Sequence, residues 1–220
     1  MEWNEGIDKE TRDKFIMWLT GAAGAGKSAI GRTVAELCAK EGSLLASFFF
    51  DSTDTTRNHI RSFVATITYQ ICRINPTIRE AVSNFVEYDP LIFTRSLKTQ
   101  FLELVINPLA VLLSLEKLRV PNLIIIDALD ECGERNVQRS LLSTLHDITS
   151  NSSIGIRFLI CSRPENDICS TFSNVKMRYS HTRLILNERY YPDEDIELFL
   201  RDRLNDIKEG HIFRNKIPPS

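Results

Sequence analysis

The stretch LTGAAGAGKSAIG, Leu19 to Gly31, carries the strongest signal in this chain. From Gly21 to Ser28 it matches G-x-x-x-x-G-K-[ST] at every position, after an apolar β-rich run and before an amphipathic helical pattern. A loop of this kind turns its backbone N–H groups towards a pyrophosphate, and the following helix offers its N-terminus to the same anion. We therefore expect a phosphate-binding loop made of Gly21, Ala22, Ala23, Gly24, Ala25, Gly26, Lys27, Ser28 and Ala29.

Two side chains of this loop have expected roles of their own. Lys27 would reach the β- and γ-phosphates of a nucleotide as a point charge and assist catalysis, and the Ser28 hydroxyl would ligate magnesium. The alternative is a glycine-rich turn that binds no ligand. The position of the loop between a strand and a helix favours phosphate binding over that alternative.

A second signal lies in NLIIIDALDEC, residues 122–132. Four apolar residues end in Asp127, which is placed to hold magnesium. Glu131 is the candidate to polarise an attacking water as a general base, and Asp130 is a second group that could assist the metal or the base. The alternative is a solvated acidic turn after a buried strand.

A third polar strand end occurs in RFLICSRPE, residues 157–165. Ligand sites of parallel sheets lie at the carboxyl ends of the strands, so we expect Arg163 to point towards the same crevice as Lys27 and Asp127. A cation there would sense the γ-phosphate and act with the catalytic residues. The alternative is an arginine that caps a surface turn.

Short β-rich runs alternate with helical patterns along the chain, which predicts an α/β fold with a parallel sheet covered on both faces. The predicted strands are 15–20, 44–50, 122–127, 156–162 and 182–187. The predicted helices are 27–40, 58–73, one that begins at Pro76, 94–117 with an interruption at Pro108, 136–149 and 195–207.

The segments GAAGAGKS, LIIIDALDEC and RFLICSRPE, in that order and spacing, resemble a NACHT-type domain of the STAND class of signalling NTPases. The likeness is closest to the nephrocystin-like version in large fungal receptor proteins, and it covers roughly 15–207. It implies a three-layer P-loop NTPase fold of the additional-strand type, with a five-stranded parallel sheet in the order 5-1-4-3-2. Residues 1–14 would then be a lead-in, and 208–220 a tail towards the helical and winged-helix lid of such receptors. Two positions depart from the family pattern, because Gly is frequent at Ala128 and Thr is frequent at Cys161.

The resemblance implies a molecular switch that binds ATP or ADP with Mg²⁺, hydrolyses ATP slowly and self-associates when active. The chain has no NKxD motif for guanine, which favours ATP, while GTP stays an alternative. A kinase on the same fold and a non-catalytic scaffold supported by nucleotide also stay open. Arg57 and Arg61 are candidates to act at this site or on a neighbouring subunit, with solvated helix-start arginines as the alternative.

Composition narrows the other classes of function. The formal net charge of -2 provides no basic field for nucleic acid. We expect no membrane partner, since the N-terminus is polar and no apolar run approaches the ~20 residues that span a bilayer. The five cysteines form no CxxC pair and are odd in number, which favours reduced thiols in a cytoplasmic protein over zinc ligands.

Overall fold

The computed structural model describes residues 14–115, 121–133, 135–151 and 154–187. The chain divides into two compact units, 1–185 and 186–220, and only Leu186 and Asn187 of the second unit are described. Most of the expected lead-in, 1–14, lies outside the described residues. The helix expected at 195–207 and the tail at 208–220 also lie outside them.

A five-stranded sheet organises the first unit, and all five strands lie where the sequence predicts them. The sheet order is β2-β3-β4-β1-β5, which is the expected order 5-1-4-3-2 counted from the other edge. The pairs β1 with β4, β4 with β3, and β3 with β2 are all parallel. The strands are β1 (Ile16–Gly21), β2 (Leu44–Phe49), β3 (Leu123–Asp127), β4 (Arg157–Ser162) and β5 (His181–Leu186).

Helices connect these strands and flank the sheet. Pro76 is the first residue of its helix, as predicted, since its missing N–H is one that a first helical turn leaves unpaired anyway. The Asn75 side chain caps the same helix by accepting a hydrogen bond from Thr77 N–H at 2.7 Å. The helices are α1 (Lys27–Lys40), α2 (Arg61–Ile74), α3 (Pro76–Tyr88), α4 (Leu97–Phe101), α5 (Asn107–Leu115), α6 (Arg135–Asn151) and α7 (Asn166–Ser173).

The helical interruption expected at Pro108 lies one turn earlier. Between α4 and α5, Leu102–Ile106 form a π-helical segment, and the Asn107 N–H reaches back to the carbonyl of Leu102. Pro108 has no N–H to donate to the preceding turn, so the widened segment shifts the hydrogen-bond ladder past it instead of ending the helix.

One described helical stretch, Leu97–Ser114, is long and apolar enough to cross a membrane by length and composition alone. Its side chains at Phe101, Leu104 and Leu109 are fully buried in the protein core. This stretch departs from the expectation that no apolar run approaches the length of a membrane span, and helices in the core of a protein have the same length and composition.

The two faces of the central strands pack against different partners. Every residue of β3 is buried, as expected for a strand in the middle of a covered parallel sheet. Ile124 and Ile126 belong to the large hydrophobic cluster on one face. Alternation along the strand sends Leu123, Ile125 and Asp127 to the opposite face, where α1 packs.

Aromatic rings dominate the large cluster. Phe63 of α2 contacts Phe48, Phe50 and Phe101 at ring-centroid distances of 5.4, 6.3 and 6.2 Å, and Phe101 also contacts Phe158 of β4 at 6.2 Å. These contacts join β2, α2, α4 and β4, and so hold the edge strand to the centre of the sheet.

The five cysteines all lie within the described residues and form no disulfide. Cys38, Cys132 and Cys161 are buried, and Cys72 and Cys169 pack against the cluster at intermediate exposure. Such burial is typical of free cysteines that pack as small hydrophobic residues, and the Cys161 thiol in addition hydrogen-bonds the Asp127 carboxylate.

Candidate functional site

The glycine loop connects the end of β1 to the start of α1. Gly24 and Gly26 have φ angles of 79° and 81°, in the left-handed region that favours glycine. A Cβ at either position would meet nothing within 4 Å, so the backbone conformation, not lack of space, requires glycine there. Gly26 is the N-cap of α1, and Lys27 is its first residue.

A cavity of about 280 Å³ lies at the carboxyl edge of the sheet. Because β4 lies between β1 and β3, the ends of these three strands are adjacent, with Thr20 paired to Ser162 and Ile126 to Ile160. The cavity brings together most of the site residues expected from the sequence. Its lining consists of Ala23, Gly24, Gly26, Lys27, Ser28, Ala29, Asp127, Ala128, Asp130, Glu131 and Arg163.

The remaining loop residues, Gly21, Ala22 and Ala25, are joined to Lys27 and to each other by hydrogen bonds. The Lys27 ammonium donates to the carbonyls of Gly21 and Ala22, at 2.9 and 2.7 Å. The Ala25 N–H donates to the Ala22 carbonyl at 3.3 Å, which closes the turn. Gly21, Ala22 and Ala25 are not among the residues that line the cavity, although the sequence pattern includes them in the phosphate loop.

Asp127 is the most deeply buried carboxylate of the cavity, at 3% exposure. Burial raises the pKa of this carboxyl, and the neighbouring Ser28 hydroxyl and Ala128 N–H offset the rise only in part. Its Oδ1 atom accepts no hydrogen bond from a nitrogen or oxygen donor of the described residues, and the Cys161 thiol lies beside the carboxylate and hydrogen-bonds it. Buried oxygens are nearly always satisfied, by an ordered water or an ion where no protein group does so.

The helix α1 approaches β3 closely beside this carboxylate. A Cβ built at Gly31 would lie 3.7 Å from Asp127 Oδ1 and 3.5 Å from the Sγ atom of Cys161. These are ordinary van der Waals distances, so α1 packs beside Asp127 and Cys161 without the approach requiring glycine at position 31.

Asp130 and Arg163 form a paired unit across the cavity. The Arg163 backbone N–H donates to Asp130 Oδ1 at 3.0 Å, and its Nε lies 3.2 Å from Oδ2. Asp130 is 5% exposed and Arg163 is 51% exposed at the side chain. Burial lowers the pKa of the nearby Lys27, with Asp130 raising it and Arg163 lowering it further. The sequence predicts Arg163 at this crevice but not its partner.

Glu131 is bonded to a different element, the loop after β2. Its Oε2 atom accepts a hydrogen bond from the backbone N–H of Ser52, at 2.9 Å, in the loop after β2. The sequence does not point to Ser52, because the donor is a backbone N–H that no residue type reveals. The only available signal was its place just past the carboxyl end of a predicted strand.

Arg57 and Arg61, the candidate accessory arginines, do not line the cavity with Lys27. Arg57 makes ion pairs with Asp51 at 3.1 Å and with Asp54 at 2.8 Å. Arg61 is the exposed first residue of α2.

Ala128 is the one non-glycine residue with a positive φ, 53°, among the described residues. The left-handed conformation costs an L-residue roughly 1–2 kcal/mol, while glycine adopts it freely at a cost in unfolded-state entropy. We expect Ala128→Gly to raise the free energy of unfolding by about 0.5 kcal/mol. Urea denaturation measures the change, with Ala29→Gly in the first turn of α1 as the control. That control should be destabilised, so a loss of stability in both variants would contradict the strain at Ala128.

The cavity combines three carboxylates with two cations. A triphosphate would therefore meet a net negative set of side chains unless a divalent cation accompanied it. The left-handed loop, the helix N-terminus, the lysine and the hydroxyl next to a buried carboxylate form a donor set suited to a metal-bound phosphate chain.

Fold and site thus define an α/β protein with a glycine-loop cavity at the carboxyl edge of a five-stranded sheet. The family of the nephrocystin 3 N-terminal domain matches residues 2–163. The chain belongs to this family, which is related to NACHT-type NTPase-like families. No curated protein matches the chain.

Proposed function

We propose that this chain is a P-loop NTPase domain that binds a nucleoside triphosphate with Mg²⁺ and hydrolyses it slowly. The observation that carries the proposal is that Lys27, Ser28 and the buried Asp127 line the same cavity. A carboxylate buried at the wall of a cavity, with few hydrogen-bond donors around it, is costly to fold, and a cation in the cavity would offset that cost.

The residues fit the implied groups. Ser28 and Asp127 would hold Mg²⁺, and the loop from Ala23 to Ala29 would bind the phosphates through its N–H groups. Bound Mg²⁺ supplies neutralising charge at the phosphate oxygens. Lys27 would exchange its two loop carbonyls for phosphate oxygens, which makes the loop responsive to the ligand.

The other cavity residues have separable roles in hydrolysis. Glu131 orients a water and accepts its proton, while the Ser52 N–H fixes the carboxylate. Asp130 holds Arg163 at the cavity, where the guanidinium can contact a terminal phosphate.

We further propose that the nucleotide state switches the domain between resting and self-associating forms, as in NACHT-type receptors of the STAND class. The physical requirement is a different affinity of the two forms for the γ-phosphate. ATP is favoured over GTP by the missing guanine motif. The fungal receptor context comes from the sequence resemblance alone.

Asp127→Asn tests the metal-bound nucleotide site. Wild-type protein should bind ATP more tightly with Mg²⁺ than with EDTA, and the variant should lose that difference. The variant should also gain about 1 kcal/mol of stability at pH 7 without Mg²⁺, since it removes a buried charge. Titration calorimetry measures the first effect and urea denaturation the second.

The pH dependence of the stability difference between Asp127→Asn and the wild-type protein tests whether the buried charge of Asp127 is its cause. The pKa of Asp127 in the folded protein is raised above its ordinary value of 3.8. The contribution of this residue to folding stability is therefore most favourable below pH 3.8, where its carboxyl group is protonated in both the folded and the unfolded chain. It is lost as pH rises through the raised pKa. The stability advantage of Asp127→Asn should therefore shrink as the pH falls towards 4. Mg²⁺-dependent ATP binding that survives in the variant would refute the proposed site.

A further inference from the structure

The loop after β2, Phe50–Asn58, is bonded to the acidic turn of the site. The Phe50 N–H donates to the Asp127 carbonyl at 3.0 Å. The Ser52 N–H donates to Glu131 Oε2 at 2.9 Å. At the far end, the Gly133 N–H donates to the Asn58 carbonyl at 2.9 Å. The loop and the turn are thus joined at both ends and in the middle.

The same loop is built around two aspartates. Asp51 Oδ1 accepts from the N–H and the hydroxyl of Thr53, at 3.0 and 2.6 Å. Asp54 Oδ1 accepts from the corresponding groups of Thr56, at 2.8 and 2.6 Å. These bonds lower the pKa of Asp54 to about 2 and that of Asp51 below its usual range. Both turns therefore stay charged and closed at neutral pH.

Arg57 joins the two turns. Its Nη2 atom lies 3.1 Å from Asp51 Oδ2, and its Nε atom lies 2.8 Å from Asp54 Oδ2. Ser52 follows Asp51 directly, so the arginine fixes the residue whose N–H holds Glu131. The Asp51 N–H also donates to the Arg57 carbonyl at 3.3 Å, which closes the loop on itself.

We propose that Arg57 is a positioning residue, which braces the Phe50–Asn58 loop so that the Ser52 N–H holds Glu131 in place for hydrolysis. This inference rests on the proposed function. It assigns Arg57 a role within its own subunit, because the guanidinium is already committed to two carboxylates of its own loop. Exposed ion pairs contribute little to folding stability, so the role of Arg57 lies in geometry more than in stability.

Arg57→Gln tests the inference against a matched control. Arg95→Gln breaks a similar exposed pair, Arg95 Nε to Asp89 at 2.7 Å, in a different part of the chain. Misplacing a catalytic group by a fraction of an ångström to 1 Å costs ~10–10²-fold in rate. We therefore expect Arg57→Gln to lower kcat for ATP about 10-fold with KM and ATP affinity within about 2-fold. Arg95→Gln should change none of them.

Two further measurements separate positioning from other roles. In a Glu131→Gln background, Arg57→Gln should cause no additional loss of turnover, whereas a general structural role would give an additive loss. Mixing the Arg57→Gln and Glu131→Gln proteins in equal amounts should leave turnover low. An arginine that acts on a neighbouring subunit would restore it, and this would overturn the inference.

If the wild-type chain shows no ATP turnover, that result counts against the proposed hydrolysis but not against the positioning role of Arg57. Hydrogen exchange then tests the positioning role directly. The amide of Ser52 should be protected in the wild-type protein without nucleotide. It should exchange about 10-fold faster in both Arg57→Gln and Glu131→Ala, but not in Arg95→Gln. Unchanged exchange of residues 50–58 in Arg57→Gln would overturn the positioning role, whether or not the chain hydrolyses ATP.

Discussion

Lys27→Ala should weaken the binding of Mg²⁺-ATP and Mg²⁺-ADP by ~10²–10⁴-fold, since each hydrogen bond to a charged group contributes about 1.5–3 kcal/mol. The Lys27 ammonium donates hydrogen bonds to the Gly21 and Ala22 carbonyls. A phosphate chain would offer it negatively charged oxygens in place of neutral carbonyls. Titration calorimetry of both nucleotides measures the loss.

The control for this change is Lys40→Ala, at the exposed last turn of the same helix. It removes the same charge from α1 without touching the cavity, so nucleotide affinity should stay within about 2-fold. Urea denaturation of both variants shows whether the loop change also disturbs folding. If Lys27→Ala keeps wild-type affinity while folded, the glycine loop does not bind phosphates and the proposed function fails.

The sheet could be predicted because its signals are local. Each strand is a short apolar run with polar neighbours, and β3 is wholly buried as its unbroken LIII run indicates. Its order followed from the resemblance to a known family, since strand spacing alone does not say that β4 inserts between β1 and β3. The sequence thus predicted which strand ends meet, and with them Lys27, Asp127 and Arg163.

What the sequence missed depends on contacts between distant backbone groups. The bond from Ser52 N–H to Glu131 joins residues 79 positions apart, through a donor that every residue except proline carries. The partnership of Arg163 with Asp130 depends on the register of β4 against β3. The π-helical segment before Pro108 reflects how the chain relieves a missing donor, for which the sequence offers several solutions.

Ala128 departs from the pattern of the family that the sequence resembles, and the departure has a consequence for the backbone conformation. The sequence has alanine where the resemblance to NACHT-type domains implies glycine, and the structure places that residue at a φ of 53° between Asp127 and the acidic turn. The chain turns at Ala128, between Asp127, which lies beside Gly31 of α1, and Glu131, which accepts a hydrogen bond from Ser52 in the loop after β2. The turn is therefore kept by its surroundings against a modest local strain.

Glu131→Gln should reduce ATP turnover by ~10²–10⁴-fold, the usual contribution of a general base. The substitution separates proton transfer from position, because a glutamine side-chain oxygen can still accept the Ser52 hydrogen bond that Glu131 Oε2 accepts. ATP and ADP affinity should therefore stay within about 3-fold of wild type. Phosphate release measured at several protein concentrations, with parallel titration calorimetry, tests both statements.

The concentration series also distinguishes how the site is completed. Release that rises more than linearly with wild-type protein and is lost in Glu131→Gln indicates hydrolysis assisted by a second subunit. Linear release that is lost in the variant indicates a site complete within one chain. Transfer of phosphate to an acceptor other than water would favour a kinase.

If wild-type protein binds Mg²⁺-ATP but releases no phosphate at any protein concentration, the nucleotide only supports the fold, as in a non-catalytic scaffold. Glu131 would then be a structural partner of Ser52, whose N–H donates to its Oε2 atom.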